Sequence, residues 1–230
     1  LSRRTLPAMR KNRRYWKPLT KRNMDLNIYT KDISFNLIPK IKERFKDFKM
    51  VVEFHPNFKF DEKNDIGFLP IKLNVETGHS KKYDKIDFEI LTGFEIFFND
   101  YDYEEELNEN KKYENLPEKK SFFSKLFGKK KAEISENYYI ANEELDKLLK
   151  SCNKNILINF KTHNKSELRI SLLFSAFLAE LTNGVVFDPQ NGRYLNGTEA
   201  IETFIFEIED YENSITENEF IVNKFENWSN

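Results

Sequence analysis

The sequence predicts an α+β fold, a mixed or antiparallel sheet packed against helices, and three observations carry that expectation. In Leu26–Tyr29 and Phe68–Val75 apolar and polar residues alternate, which is the period of half-buried strands. Residues 167–181 are helical in spacing and apolar nearly all round, so they demand cover on most sides. Between these regions, residues 102–137 form a charged stretch with no strand pattern. That stretch implies a long mobile central connection.

The first half, 24–101, reads β-α-β-β-β. Leu26–Tyr29 alternates like a short strand. From Ile33 to Phe48 the residues Leu37, Ile38, Ile41, Phe45 and Phe48 recur at helical spacing. Pro39 lies inside that pattern, so the helix is expected to begin close to it, where a missing N–H is tolerated. Lys49–Phe54 is the next strand, ended by His55-Pro56-Asn57. Phe68–Val75 is another, and Pro70 implies an edge or a bulge. Ile86–Phe98 is one bent strand or two short ones, with Gly93 as the expected break or bulge.

The second half, 138–230, reads α-β-α-β-α, and a single domain shared with 24–101 is compatible with it. Asn142 is placed to cap a helix through Glu143, Leu145, Leu148 and Leu149. Ile156–Phe160 is a strand. Ser166 is expected to cap the apolar helix, and Asn183-Gly184 to stop it in left-handed geometry. In Asp188-Pro189-Gln190-Asn191-Gly192 every position is a turn former. Val185-Val186-Phe187 and Arg193-Tyr194-Leu195 then make a small hairpin, or a strand and its exit. Thr198 is expected to cap the last clear helix, whose buried stripe is Ile201, Phe204, Ile205 and Ile208. Thr216–Trp228 has room for one more short helix.

With 230 residues, 22 of them Phe, the chain can bury a core dominated by large side chains. Cys152 is the only cysteine, which leaves no intramolecular disulfide and no cysteine-based zinc site. No run of about eighteen apolar residues occurs, and the basic start is not followed by an apolar segment. The expectation is a soluble, cytoplasmic protein.

Net charge is near zero, but residues 1–24 hold nine of the 37 bases and no acid. The remainder has 28 bases against 38 acids, a net of −10. Two readings of the basic arm 1–23 compete. It is a tail for phosphates, with Tyr15 and Trp16 interleaved among the bases, or a disordered or non-native extension ahead of Met24. The acidic body repels nucleic acid and favours basic partners. At the end of the 102–137 linker, Lys119–Lys131 is basic with apolar residues at helical spacing. Membrane contact, docking on the acidic body and a plain solvated linker are its alternatives.

Catalytic patterns are sparse. His55, His79 and His163 have no partner at metal-ligand spacing, no Gly-rich phosphate loop occurs, and there is no GxSxG elbow. Cys152 follows a helix end, where the dipole raises a thiol's pKa. No cofactor is expected. An enzyme would need scattered residues, and His55, Asp188 and Arg193 are the set on offer.

The candidate partner-binding strip is Asp100, Tyr101, Asp102, Tyr103, Glu104 and Glu105. Read as an extended segment, it puts Asp100 and Asp102 on one side, with Tyr101 and Tyr103 on the other. Such a strip combines charge steering with aromatic anchors. A solvated acidic loop is the plain alternative.

Four blocks resemble small bacterial cytosolic proteins, many of them uncharacterised or serving as immunity proteins paired with secreted antibacterial toxins. They are Phe54-His55-Pro56-Asn57-Phe58, Gly67-Phe68-Leu69-Pro70-Ile71, Ser175–Thr182 and Gly184-Val185-Val186-Phe187-Asp188-Pro189-Gln190. The resemblance implies an α+β protein without catalysis whose acidic face occupies a toxin. The alternatives are an enzyme built from scattered residues, and a membrane or nucleic-acid protein using the basic segments.

Overall fold

The computed structural model describes residues 23–31, 33–34, 36–60, 67–114, 139–161 and 165–228. The basic arm up to Arg22, the segment Lys119–Lys131 and His163 lie outside them. The elements are β1 (Asn23–Thr30), α1 (Leu37–Asp47), β2 (Met50–Phe54), β3 (Gly67–Val75) and β4 (Ile90–Asp100). They continue with α2 (Tyr103–Glu114), α3 (Glu143–Leu149), β5 (Lys154–Lys161), α4 (Lys165–Thr182), β6 (Val185–Asp188), β7 (Arg193–Asn196), α5 (Gly197–Ser214) and β8 (Asn223–Lys224). The α+β class is as expected.

Among the described residues the strands form one antiparallel sheet in the order β2-β3-β4-β5-β1-β6-β7. β8 pairs with β4 at Ile90 and Leu91, beyond the end of β5. Strands from the two halves interleave: β1 lies between β5 and β6. The reason is hydrophobic pattern. Leu26, Ile28 and Thr30 are buried on one face of β1, and Ile156, Ile158 and Phe160 on the same face of β5. Helix α4 lies across β4, β5, β1 and β6, flanked by α1 and α5. Its Phe174 ring is 4.8 Å from Phe94 and stacks on Phe60 at 6.2 Å, while Phe177 meets Phe45 edge-on at 5.0 Å. Each such ring taken from water contributes about 2–3 kcal/mol, so this layer holds the molecule together.

Several local expectations are corrected. Gly93 is no break, because β3 and β4 pair without interruption from Gly67↔Ile96 to Leu73↔Ile90. The glycine is needed for close approach instead: a Cβ there would sit 2.2 Å from the Leu69 carbonyl oxygen. Pro70 is in a strand with neighbours on both sides, but it stands just past Ile71↔Phe54, where β2 ends. Its carbonyl accepts from the His55 amide at 3.2 Å, so the missing N–H faces the side where β2 has run out.

Ser166 is buried inside α4, which starts at Lys165, and does not cap it. Asn196, not Thr198, caps α5. Its side chain accepts from the Glu199 amide at 3.0 Å, and Glu199 Oε2 accepts from the Asn196 amide at 3.1 Å. This reciprocal pair satisfies two donors at once. The 102–137 linker begins as helix α2, and from residue 115 to 137 it lies outside the described residues. The chain after Thr216 carries a 3-10 turn at Glu217–Glu219 and then β8. The stop of α4 is as expected, with Asn183 at φ 51°. Residues 185–196 form the hairpin β6–β7.

Candidate functional site

The six residues of the expected strip divide into two sets. Asp100, Asp102, Glu104 and Glu105 are exposed, and Lys154 donates to Asp100 Oδ1 at 2.8 Å. Asp102 caps α2, its Oδ1 accepting from the Glu104 amide at 2.8 Å and the Glu105 amide at 3.1 Å. The tyrosines turn inward, which corrects their role as outward anchors. Tyr103 is 6% exposed, and its hydroxyl donates to Asp146 Oδ2 at 2.7 Å. Tyr101 packs its ring 4.5 Å from that of Tyr29. The physical reason is that α2 starts at Tyr103 and folds back over the far face of the sheet. Tyr103 and Leu107 meet Leu145, Leu149 and Tyr29 there.

On the sheet-facing side of α2 is Glu106, a carboxylate the sequence offered no reason to single out. Tyr29 and Tyr194 each donate to Glu106 Oε1 at 3.3 Å, from β1 and β7. Burial raises the Glu106 carboxyl and outweighs the hydrogen bonds that favour its ionised form. The Tyr29, Tyr101 and Tyr194 phenols are all driven up, by burial first and by the Glu106 charge next. Cys152 is 8% exposed and packed among the residues under α2 and α3, and burial pushes its thiol up to about 11.

His55, Asp188 and Arg193 do not converge. His55 follows β2 at one end of the sheet, its ring 5.3 Å from Trp228. Asp188 and Arg193 lie at the other end, in the β6–β7 hairpin. Asp188 is 3% exposed and accepts from the Gln190 amide at 3.1 Å, the Asn191 side chain at 2.7 Å and Arg193 Nε at 3.0 Å. All of that is turn closure.

The described residues build a cleft of about 450 Å³ between the loop 76–85 and helices α4 and α5. Its floor is Phe48, Met50, Leu173, Ile205 and Ile208. At the back sits an ion pair between Arg169 and Glu212, both 5% exposed. Arg169 donates twice, from Nε at 2.8 Å and Nη2 at 2.7 Å, and Nη1 lies 3.3 Å from His79 Nε2. Burial first, and then the Arg169 charge, hold the imidazole below its ordinary value. The sequence signal was present, an arginine within an apolar helix and a glutamate on the next one. Only the crossing of α4 and α5 reveals that they meet.

The outer face of α5 adjoins this cleft. The helix carries six carboxylates and no base. Glu202, Phe206, Glu209 and Asp210 share its solvent side, and Phe206 is 69% exposed. This is the aromatic-acidic combination expected near Asp100, on another element.

Among the described residues no group of three or more His, Cys, Asp or Glu is arranged to hold a metal ion, and no helix is long and apolar enough to cross a membrane. No protein family, curated protein or solved structure matches the chain.

Proposed function

We propose that this chain is a non-catalytic binding protein of the immunity type, which neutralises a cognate antibacterial toxin by covering a basic surface on it. One observation carries the reading: Phe206 stands 69% exposed in the middle of a base-free acidic helix. A large ring left in water has no folding benefit, whereas at an interface it is a typical anchor. The surrounding carboxylates steer a basic partner and repel acidic ones. The exposed acids Asp100, Asp102, Glu104 and Glu105 add to that field from the other side of the sheet, without aromatic anchors of their own.

The test is binding and protection against the toxin-like product of the neighbouring gene. The wild-type chain binds it and rescues cells that express it. Phe206→Asp weakens binding by roughly 30-fold or more, about 2 kcal/mol, with an unchanged thermal midpoint. Asp100→Lys combined with Glu104→Lys and Glu105→Lys slows association and flattens its salt dependence, with a smaller effect on dissociation. Unaltered affinity in Phe206→Asp would remove the α5 face from the proposal. Absence of binding by the wild type would remove the toxin.

A further inference from the structure

The cleft beside α5 is a built feature, tied together from several elements. Ser80 Oγ donates to Glu212 Oε2 at 3.0 Å, Lys82 Nζ donates to the Ile215 carbonyl at 2.6 Å, and Lys85 pairs with Glu217. These contacts hold the loop 76–85 across the end of α5, and Phe48 and Ile205 stay half-buried beside it over the buried Met50, Leu173 and Ile208. The volume lies within the range of pockets that accept small ligands, about 300–1,000 Å³.

The lining decides what kind of ligand fits. Arg169 and Glu212 cancel each other. Lys82 and Glu217 are engaged as above. At the mouth this leaves the Lys81 ammonium on the loop wall and the Glu209 carboxylate on the helix wall, both exposed. A guanidinium only donates, so His79 Nε2 must accept from Arg169, and the neutral ring carries its proton on Nδ1. His79 therefore adds a donor to the lining of the cleft. One wall suits a carboxylate, the opposite wall suits an amine, and the floor between them is apolar. A bare anion meets Glu209, and a bare cation meets Lys81.

We propose that this cleft binds a small zwitterion with an apolar side chain, of the amino-acid class. Lys81 and His79 take its carboxylate, Glu209 takes its ammonium, and the side chain lies on the half-buried Phe48 and Ile205. The proposal is independent of the toxin reading, because its test uses no protein partner.

The experiment titrates the purified chain with L-phenylalanine, 3-phenylpropionate (no amine) and 2-phenylethylamine (no carboxylate), followed by amide chemical shifts. L-Phenylalanine is expected to saturate below about 10 mM, with each analogue at least about tenfold weaker. Glu209→Gln should remove the advantage over 3-phenylpropionate, and Lys81→Met the advantage over 2-phenylethylamine. Asn213→Trp, which plugs the mouth, should abolish binding of all three. Both charged residues are exposed, so neither change threatens folding. The proposal is overturned if L-phenylalanine shows no saturable shift, if it binds no better than the analogues, or if the variants leave the preference unchanged.

Discussion

Glu167 sits in the first turn of α4 with its Oε2 accepting from the Lys161 amide at 3.1 Å, and burial pushes its carboxyl up to about 7. Its folded-state value thus stands above the ordinary carboxylate value of the unfolded chain. The folded state holds the proton longer, so ionising Glu167 costs stability as pH rises from the ordinary carboxylate range through about 7. Gln keeps the acceptor without the charge. Glu167→Gln is therefore expected to be more stable than the wild type by about 1 kcal/mol at about pH 8, a figure reduced for partial solvent screening. The gain should vanish by about pH 5, and urea unfolding at the two pH values measures it. A gain that is the same at both would mean that burial of charge at this position is not the cause. Asp146 is the opposite kind of residue, 1% exposed and fully occupied by the Tyr103 hydroxyl and the Ile140 and Ala141 amides. It is a structural carboxylate that ties the chain entering α3 to α2.

At the level of elements, close approach distinguishes the glycines. A Cβ on Gly93 would meet the Leu69 carbonyl oxygen at 2.2 Å and the Phe68 ring at 2.7 Å, while one on Gly192 would meet nothing within 4 Å. Gly93→Ala must push β3 and β4 apart in mid-sheet, and is expected to cost about 3 kcal/mol. Gly192→Ala meets only the strain of its positive φ in the β6–β7 turn, about 1 kcal/mol. Denaturant midpoints of the two variants check the order, and equal losses would show that the sheet yields at Gly93. The elements also explain where the acidic-aromatic surface went. Once α2 forms, Tyr103 and Leu107 lie one turn apart and face the sheet. On α5 the buried stripe uses Ile201, Phe204 and Ile208, which leaves Phe206 on the opposite side.

On the scale of the whole molecule, the first described strand is an interior one of the sheet. β1 pairs with β5 along its full length, Asn23↔Lys161 to Thr30↔Lys154, and with β6 on its other edge. The two flanking strands arrive more than a hundred residues later in the chain, so the sheet closes only when nearly all of it is present. Such non-local pairing makes for slow, cooperative folding. Amides of Leu26–Ile28 and Ile156–Ile158 are expected to exchange only through global unfolding, and those of α3 through a smaller local opening. Native-state hydrogen exchange measures this, and α3 amides as protected as those of β1 would contradict it.

What the sequence by itself determined is the local layer: most strand and helix segments apart from α2 and β8, the apolar-all-round α4, the Asn142 cap, the Asn183 stop and the Asp188 turn. Those signals are periodicity and short-range hydrogen bonding, which a few neighbouring residues settle. It also showed the acidity of the body. What only the tertiary structure decided is which residues face one another. The sheet order placed His55 far from Asp188, the return of α2 buried the tyrosines of the expected strip, and the crossing of α4 and α5 brought Arg169 to Glu212. Both the acidic face around Phe206 and the cleft behind it come from that crossing. Side-chain surroundings depend on contacts between distant segments, and one chain read in order carries no direct signal for them.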